Sequence, residues 1–183
     1  MKVLAFDQST TACGWALMEG GKIIDSGIFK PVRKVSIDER IYSVASFVKK
    51  AMATYKPDLA VFENTQDQKS PATLIHLSKL LGACIYQALD FEVAYNVVSP
   101  SSWRAVFGIG ARDEHGNTPK RDELKLRAMA IANEQYGYEA EEDECEAILM
   151  AASIQQVRIR ALEIAEKLQK KKAKNARARK AKI

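Results

Sequence analysis

The chain alternates short apolar runs with amphipathic stretches, and their order predicts its elements. Val3–Phe6 is an unbroken apolar run, the pattern of a strand covered on both faces, and it ends on Asp7. Gly14–Met18 and Lys22–Phe29 read as two further strands joined by a tight turn at Glu19, Gly20 and Gly21, which is a hairpin signature. Over residues 36–55 the period becomes helical, with Ile37, Ile41, Val44, Val48 and Met52 on one face. Ser36 and Glu39 form a capping-box pair at its start, and Pro57 ends it. The stretch from Asp58 to Glu63 repeats the opening device, an apolar strand that finishes on a carboxylate. Residues 71–89 read as a second helix with Leu74, Leu77, Leu81 and Ile85 at helical spacing. Leu80 and Cys84 widen that stripe and predict cover on more than one side. Val93–Val98 is a strand broken by Ser99 and Pro100, and residues 100–107 read as a short helix. Residues 108–119 carry three glycines and no period, which predicts a long mobile loop. Helices then open at Thr118 and Pro119, running to Tyr136, and at Glu141, running into the C-terminal residues. Strands interleaved with helices predict an α/β sheet with helices on its faces.

Composition narrows the class. With 183 residues and 47% hydrophobic content, the chain can bury a core as one domain. Its net charge of +5 is unevenly spread, because residues 170–183 hold eight cations and no acid, leaving residues 1–169 slightly acidic. The expected organisation is therefore a folded domain over 1–169 and a basic tail over 170–183. Lys170, Lys171, Lys172 and Lys174 of that tail are candidates for DNA contact by phosphate neutralisation. Cys13, Cys84 and Cys145 lie far apart without metal-type spacing, which points to free thiols in a reducing compartment. Asp7 interrupts the first apolar run too early for a signal peptide, and nothing comes near a membrane span of about 20 apolar residues. The expected location is the cytoplasm.

The acids carry the candidate chemistry. In an open α/β sheet, neighbouring strands that finish at one edge bring their terminal residues together, which would pair Asp7 with Glu63. A third source is the acidic start of the last helix. Acids there interact favourably with the helix dipole, so most need no other role. Ala147, Ala151 and Ile154 form a small apolar face that can approach a sheet; Asp143 lies one turn before Ala147 and shares a face with Glu146. Glu142, four residues before Glu146, competes with Asp143 for that position. Carboxylates converging from three elements would repel unless cations filled the pocket, and hard oxygen donors suit Mg²⁺ or Mn²⁺. Two such ions about 3.5–4 Å apart can activate a water and stabilise the leaving oxygen of a phosphodiester.

Taken together, Leu4–Ser9 with Thr11, Gly14 and Trp15, then Val61–Glu63, Ser99–Arg104 leading to Gly108–Gly110, and Asp143–Ala147 form a pattern. It resembles RuvC-type Holliday-junction resolvases of the ribonuclease H-like superfamily. The resemblance implies a five-stranded mixed sheet flanked by helices on both faces and a homodimer, with the helix over 71–89 as the dimer face. It also implies a crossover junction endodeoxyribonuclease that uses two Mg²⁺ ions, with Mn²⁺ as substitute, to nick four-way DNA junctions in recombination and repair. Carried over, the catalytic and metal-binding acids are Asp7, Glu63, Asp143 and Glu146, with Asp7 bridging both ions. Lys120 or Arg121 takes the family's basic position after the Gly-rich loop, Arg104 a phosphate role before it, and Arg112 joins the DNA-binding set. Three features depart from the pattern: Gln66 stands where an aromatic wedge is usual, the fourth acid is Glu, and the basic tail is long. These departures look more like the bacteriophage-borne branch, which implies host cytoplasm and a wider range of branched DNA, flaps and forks included.

Two rival functions come from other classes. The Asp7–Thr11 turn also resembles the phosphate loop of sugar-kinase and actin-like ATPases, whose core has this sheet topology. Those proteins close two such domains on ATP, and this length has room for one. The third reading is a non-catalytic DNA-binding protein whose acids only cap and solvate a helix.

Overall fold

The computed structural model describes residues 1–66, 70–112 and 115–180, with side chains described as far as 164 and at 167 and 169 beyond it. Five strands form one mixed sheet: β1 (Lys2–Gln8), β2 (Cys13–Glu19), β3 (Lys22–Phe29), β4 (Leu59–Glu63) and β5 (Ala94–Val98), in the order β3-β2-β1-β4-β5. The first three run antiparallel, through a turn in which Gly20 and Gly21 both take positive φ, a conformation open to glycine at little steric cost. β1 pairs parallel with β4, and β4 with β5. This is the five-stranded mixed sheet that the resemblance implied.

Helices cover both faces, which explains why Val3–Phe6 is apolar throughout rather than alternating. Leu4 and Phe6 pack toward α1 (Ile37–Tyr55) and α2 (Pro71–Asp90). Val3 and Ala5 pack toward α3 (Pro100–Val106), α4 (Arg121–Tyr136) and α5 (Glu142–Lys180). α1 starts where the sequence predicts: Ser36 accepts from the Glu39 backbone N–H, and the Glu39 carboxylate accepts in return from the Ser36 N–H. It ends at Lys56, in the left-handed region one residue before Pro57.

Expectations change at three places in the chain. The stripe of α2 is buried only along Leu80, Cys84 and Ala88, while Ile75, Tyr86 and Leu89 are more than half exposed. α2 packs beside α1 and is covered on one side, not on several. By length and composition alone it is also apolar enough to cross a membrane, against the expectation that no segment comes near, although Lys79 sits at its middle. Second, the expected mobile loop begins later, since Ile109 is buried in the core and Arg127 Nη1 donates to the carbonyls of Ile109 and Ala111. α4 accordingly starts at Arg121, after Lys120 at its N-cap position. Third, α5 does more than lay one small face on the sheet. Residues 145–153 are buried on all sides, between β1 and β2 below and α3 and α4 above. Full burial of Ile148, Leu149 and Met150 stabilises this docking by about 2 kcal/mol each.

α5 continues as helix through the expected boundary at 169/170 and totals 39 residues, about 58 Å of rise. Among its described side chains the last buried one is Gln155; Val157, Ile159, Leu162 and Ile164 are exposed. The tail side chains of Lys170, Lys171, Lys172 and Lys174 lie outside the described residues.

Candidate active site

The register of β1 against β4 sets Phe6 opposite Phe62, so Asp7 and Glu63, one residue further on, stand side by side where the pairing of these two strands ends. Gln8 secures that edge, its amide donating to the Glu63 carbonyl at 2.6 Å and accepting from the Glu63 N–H at 3.2 Å. The chain then turns sharply. Ser9 Oγ accepts from the N–H groups of Thr11 and Ala12, and the Ser9 N–H reaches the Ala12 carbonyl. This turn lines one side of a cleft at the strand ends.

The third contribution depends on Gly14. It pairs with Asp7 across the β1–β2 ladder, and the first turn of α5 lies directly on it. A Cβ at Gly14 would stand 2.0 Å from the Asp143 carbonyl oxygen, a backbone atom that cannot move aside. The missing side chain is therefore what lets Asp143 and Glu146 reach the strand acids. All four sequence-predicted acids line one cleft of about 890 Å³, together with Glu142, Arg104, Arg121, Lys125, Gln66 and polar groups of the Ser9–Thr11 turn. Its walls come from β1, β4, α2, α3, α4 and α5.

Electrostatics separate the acids. Burial raises the pKa of Asp7 well above the usual carboxylate range; Glu63, Glu146 and Asp143 push it further, and Arg104 only partly opposes them. Glu63 is also raised by burial, which the indole N–H of Trp103, donating to Glu63 Oε1 at 2.9 Å, partly offsets. A hydrogen bond with Asp7 joins the two carboxyls. Two of the acids on α5, Glu142 and Glu146, are paired with cations. Arg104 Nη2 meets Glu146 Oε1 at 2.5 Å, with the guanidinium lying over the Trp103 ring, and Lys125 pairs with Glu142.

Among the described residues, no three carboxylate, histidine or cysteine groups stand close enough to cage an ion. The donor set nevertheless fits a hard divalent cation. Two hydrogen-bonded, partly desolvated carboxyls cannot both ionise cheaply without added positive charge, and further oxygen donors share the cleft.

Of the predicted DNA contacts, Arg104 and Arg121 line the cleft, whereas Lys120 and Arg112 are exposed outside it. Sequence reasoning missed Lys125, although one helical turn after Arg121 it had to share that residue's face. It also missed Trp103 as the donor that orients Glu63, because an indole at the start of a short helix reads first as a core anchor. Trp103 is indeed buried, so it offers no face on which a base could stack.

No protein-family model matches the chain. Over 120 residues it is similar to the crossover junction endodeoxyribonuclease RuvC of Mycobacterium avium (strain 104), at 24% identity across 62% of this chain and 64% of that protein. The chain thus spans less than two thirds of that relative. It is similar to the RuvC of Orientia tsutsugamushi (strain Ikeda) at 23% identity, across 63% of this chain and 76% of that protein. The fold is that of T. thermophilus RuvC in complex with a Holliday junction substrate, with TM-score 0.65 and 15% identity over 84% of this chain and 91% of that one. Fowlpox virus resolvase bound to Holliday junction DNA gives TM-score 0.58 and 14% identity over 86% and 98%. In both sequence and fold the chain is RuvC-like.

Proposed function

We propose that the protein is a divalent-metal-dependent endonuclease that cleaves four-way junctions and other branched DNA. The observation that carries this reading is the meeting of Asp7, Glu63, Asp143 and Glu146 in one cleft that Arg104, Arg121 and Lys125 also line. Acids and cations lining the same cleft suit a phosphodiester drawn toward hydrolytic chemistry, and the fold is one found bound to junction DNA.

Asp7, Glu63, Asp143 and Glu146 would hold Mg²⁺ or Mn²⁺, two ions per site. Bound there, the metal supplies an activated water and charge neutralisation at the phosphoryl and leaving oxygens. The residues of the chain do the rest. Trp103 fixes the Glu63 carboxylate through its indole N–H, and Gln8 keeps the Glu63 backbone in register with β1. Arg104 shields Glu146 before loading and is placed to turn its guanidinium toward a phosphate afterwards. The Ser9–Thr11 turn leaves the strand edge open to the substrate.

The exposed α2 face around Ile75, Tyr86 and Leu89 is the proposed homodimer surface, which would put two clefts on one junction. The basic residues of 170–183 are proposed to add affinity without sequence preference, and removing them should flatten the salt dependence of binding. Gln66 at the cleft, where a ring would wedge bases apart, favours a substrate range that extends to flaps and forks. Three buried free cysteines fit a reducing location, the cytoplasm of a cell or of a phage host.

The test incubates the protein with a synthetic four-way junction, a flap and a linear duplex in Mg²⁺ or Mn²⁺. Branched substrates should be cut, and Asp7→Asn should lose at least roughly a hundredfold in rate, more than the loss of an outer-shell partner costs. No cleavage of any branched substrate, or equal cleavage by the variant, overturns the proposal.

A further inference from the structure

Lys125 and Glu142 are charged groups of the cleft whose individual tasks the four-acid reading leaves open. Lys125 lies one turn after Arg121 on α4, and its ammonium crosses to the Glu142 carboxylate on α5. The two side chains are 22% and 32% exposed, and both line the cleft beside the acids. Glu142 is one turn before Glu146. The two α5 carboxylates are thus held by two cations at successive levels, Glu146 by Arg104 from α3 and Glu142 by Lys125 from α4.

The pairs differ in what their exchange would cost. Glu146 is nearly fully buried, so it needs a cation at all times. Glu142 is the first residue of α5, partly solvated, where unpaired N–H groups and the helix dipole favour an anion without any partner. A partly solvated Lys–Glu pair is weak, and a phosphate offers Lys125 a doubly charge-assisted contact instead. Lys125 can therefore leave Glu142 cheaply, whereas Arg104 cannot leave Glu146 without a replacement.

Resting on the endonuclease reading, we infer that Lys125 is a phosphate contact for the substrate strand. Glu142 is its positioning partner, and stands outside the metal-binding acids. In the free protein Glu142 holds the ammonium at the cleft rim. When DNA docks, a phosphate oxygen takes the ammonium over and Glu142 remains on the helix N-terminus. This separates the helix-start acids: Asp143 and Glu146 lie close enough to Asp7 to act on its charge, whereas Glu142 is tied to Lys125.

The experiment measures junction binding across a salt series, steady-state cleavage and the metal-induced rise in Tm for the full chain and for K125Q, K125R and E142Q. K125Q should raise KM roughly tenfold with kcat within about twofold, the loss of one charge-assisted contact. It should also make the salt slope of log K shallower by about 0.9, one phosphate fewer, and K125R should restore both. E142Q should keep the metal-induced rise in Tm and bind the junction more tightly, with an unchanged salt slope. If E142Q loses the metal response, Glu142 is a ligand and the assignment is wrong. A junction-binding wild type with K125Q unchanged in KM and slope overturns this inference alone, and a wild type that neither binds nor cuts branched DNA overturns the endonuclease reading and this inference together.

Discussion

Two parts of the chain bring acids to the same cleft by different means. Asp7 and Glu63 arrive at the ends of strands whose backbone groups are already committed to the ladder. Glu142, Asp143 and Glu146 arrive on the first turns of a helix, where free N–H groups and the dipole welcome negative charge. The helix acids Glu142 and Glu146 also hold cations of their own, Lys125 and Arg104. The strand acids share a single indole N–H and a hydrogen bond with each other, and both are pushed toward the protonated form. The difference locates the uncompensated charge in the strand half. That half is where an added cation relieves most.

Three changes would break or sharpen this contrast. The largest effect should come from Gly14→Ala, which acts on the joint between the halves. The new methyl meets the Asp143 backbone carbonyl, so α5 must lift from β2, with an expected loss of about 3 kcal/mol or more by denaturant titration. Stability equal to wild type would mean that the helix start is not seated on Gly14. Next comes Arg104→Gln, which leaves Glu146 buried without its cation. The expected loss is about 2 kcal/mol at neutral pH, reduced from the fully buried case because Arg104 keeps 17% exposure. Saturating Mg²⁺ should recover part of it, and no recovery would count against Glu146 as a ligand.

The smallest effect is a pH dependence. Asp7 and Glu63 bind protons more tightly folded than unfolded, because burial and neighbouring acids raise their folded pKa. Their contribution to stability is therefore fully present below the unfolded carboxylate values near 4, and is lost as pH rises through the higher folded values. Asp7→Asn should flatten that fall in metal-free unfolding curves and raise stability at neutral pH by about 1 kcal/mol. Wild-type and Asn curves that run parallel between about pH 4 and pH 7 would show that Asp7 is not held protonated.

Much of the fold was legible because its signals are local. The capping box at Ser36 and Glu39, the glycine turn between β2 and β3 and the helical period of α1 each act within a few residues, and each sits where expected. α2 was legible as a helix but not in its cover, since an apolar stripe states what could be buried and not what lies opposite.

For the site, the chain by itself determined that two apolar strands end in carboxylates and that an acidic helix start follows. It also marked Asp143 and Glu146 as sharing a face. Tertiary structure decided the rest. The pairing of Phe6 with Phe62 set Asp7 beside Glu63, Gln8 clipped β1 to β4 across 55 residues, and Gly14 admitted α5. Lys125 and Trp103 gained their roles only when α4 and α3 docked above α5. The physical reason is range: hydrophobic period and capping act along one stretch of chain, whereas strand register and helix docking are set by packing between residues far apart in sequence.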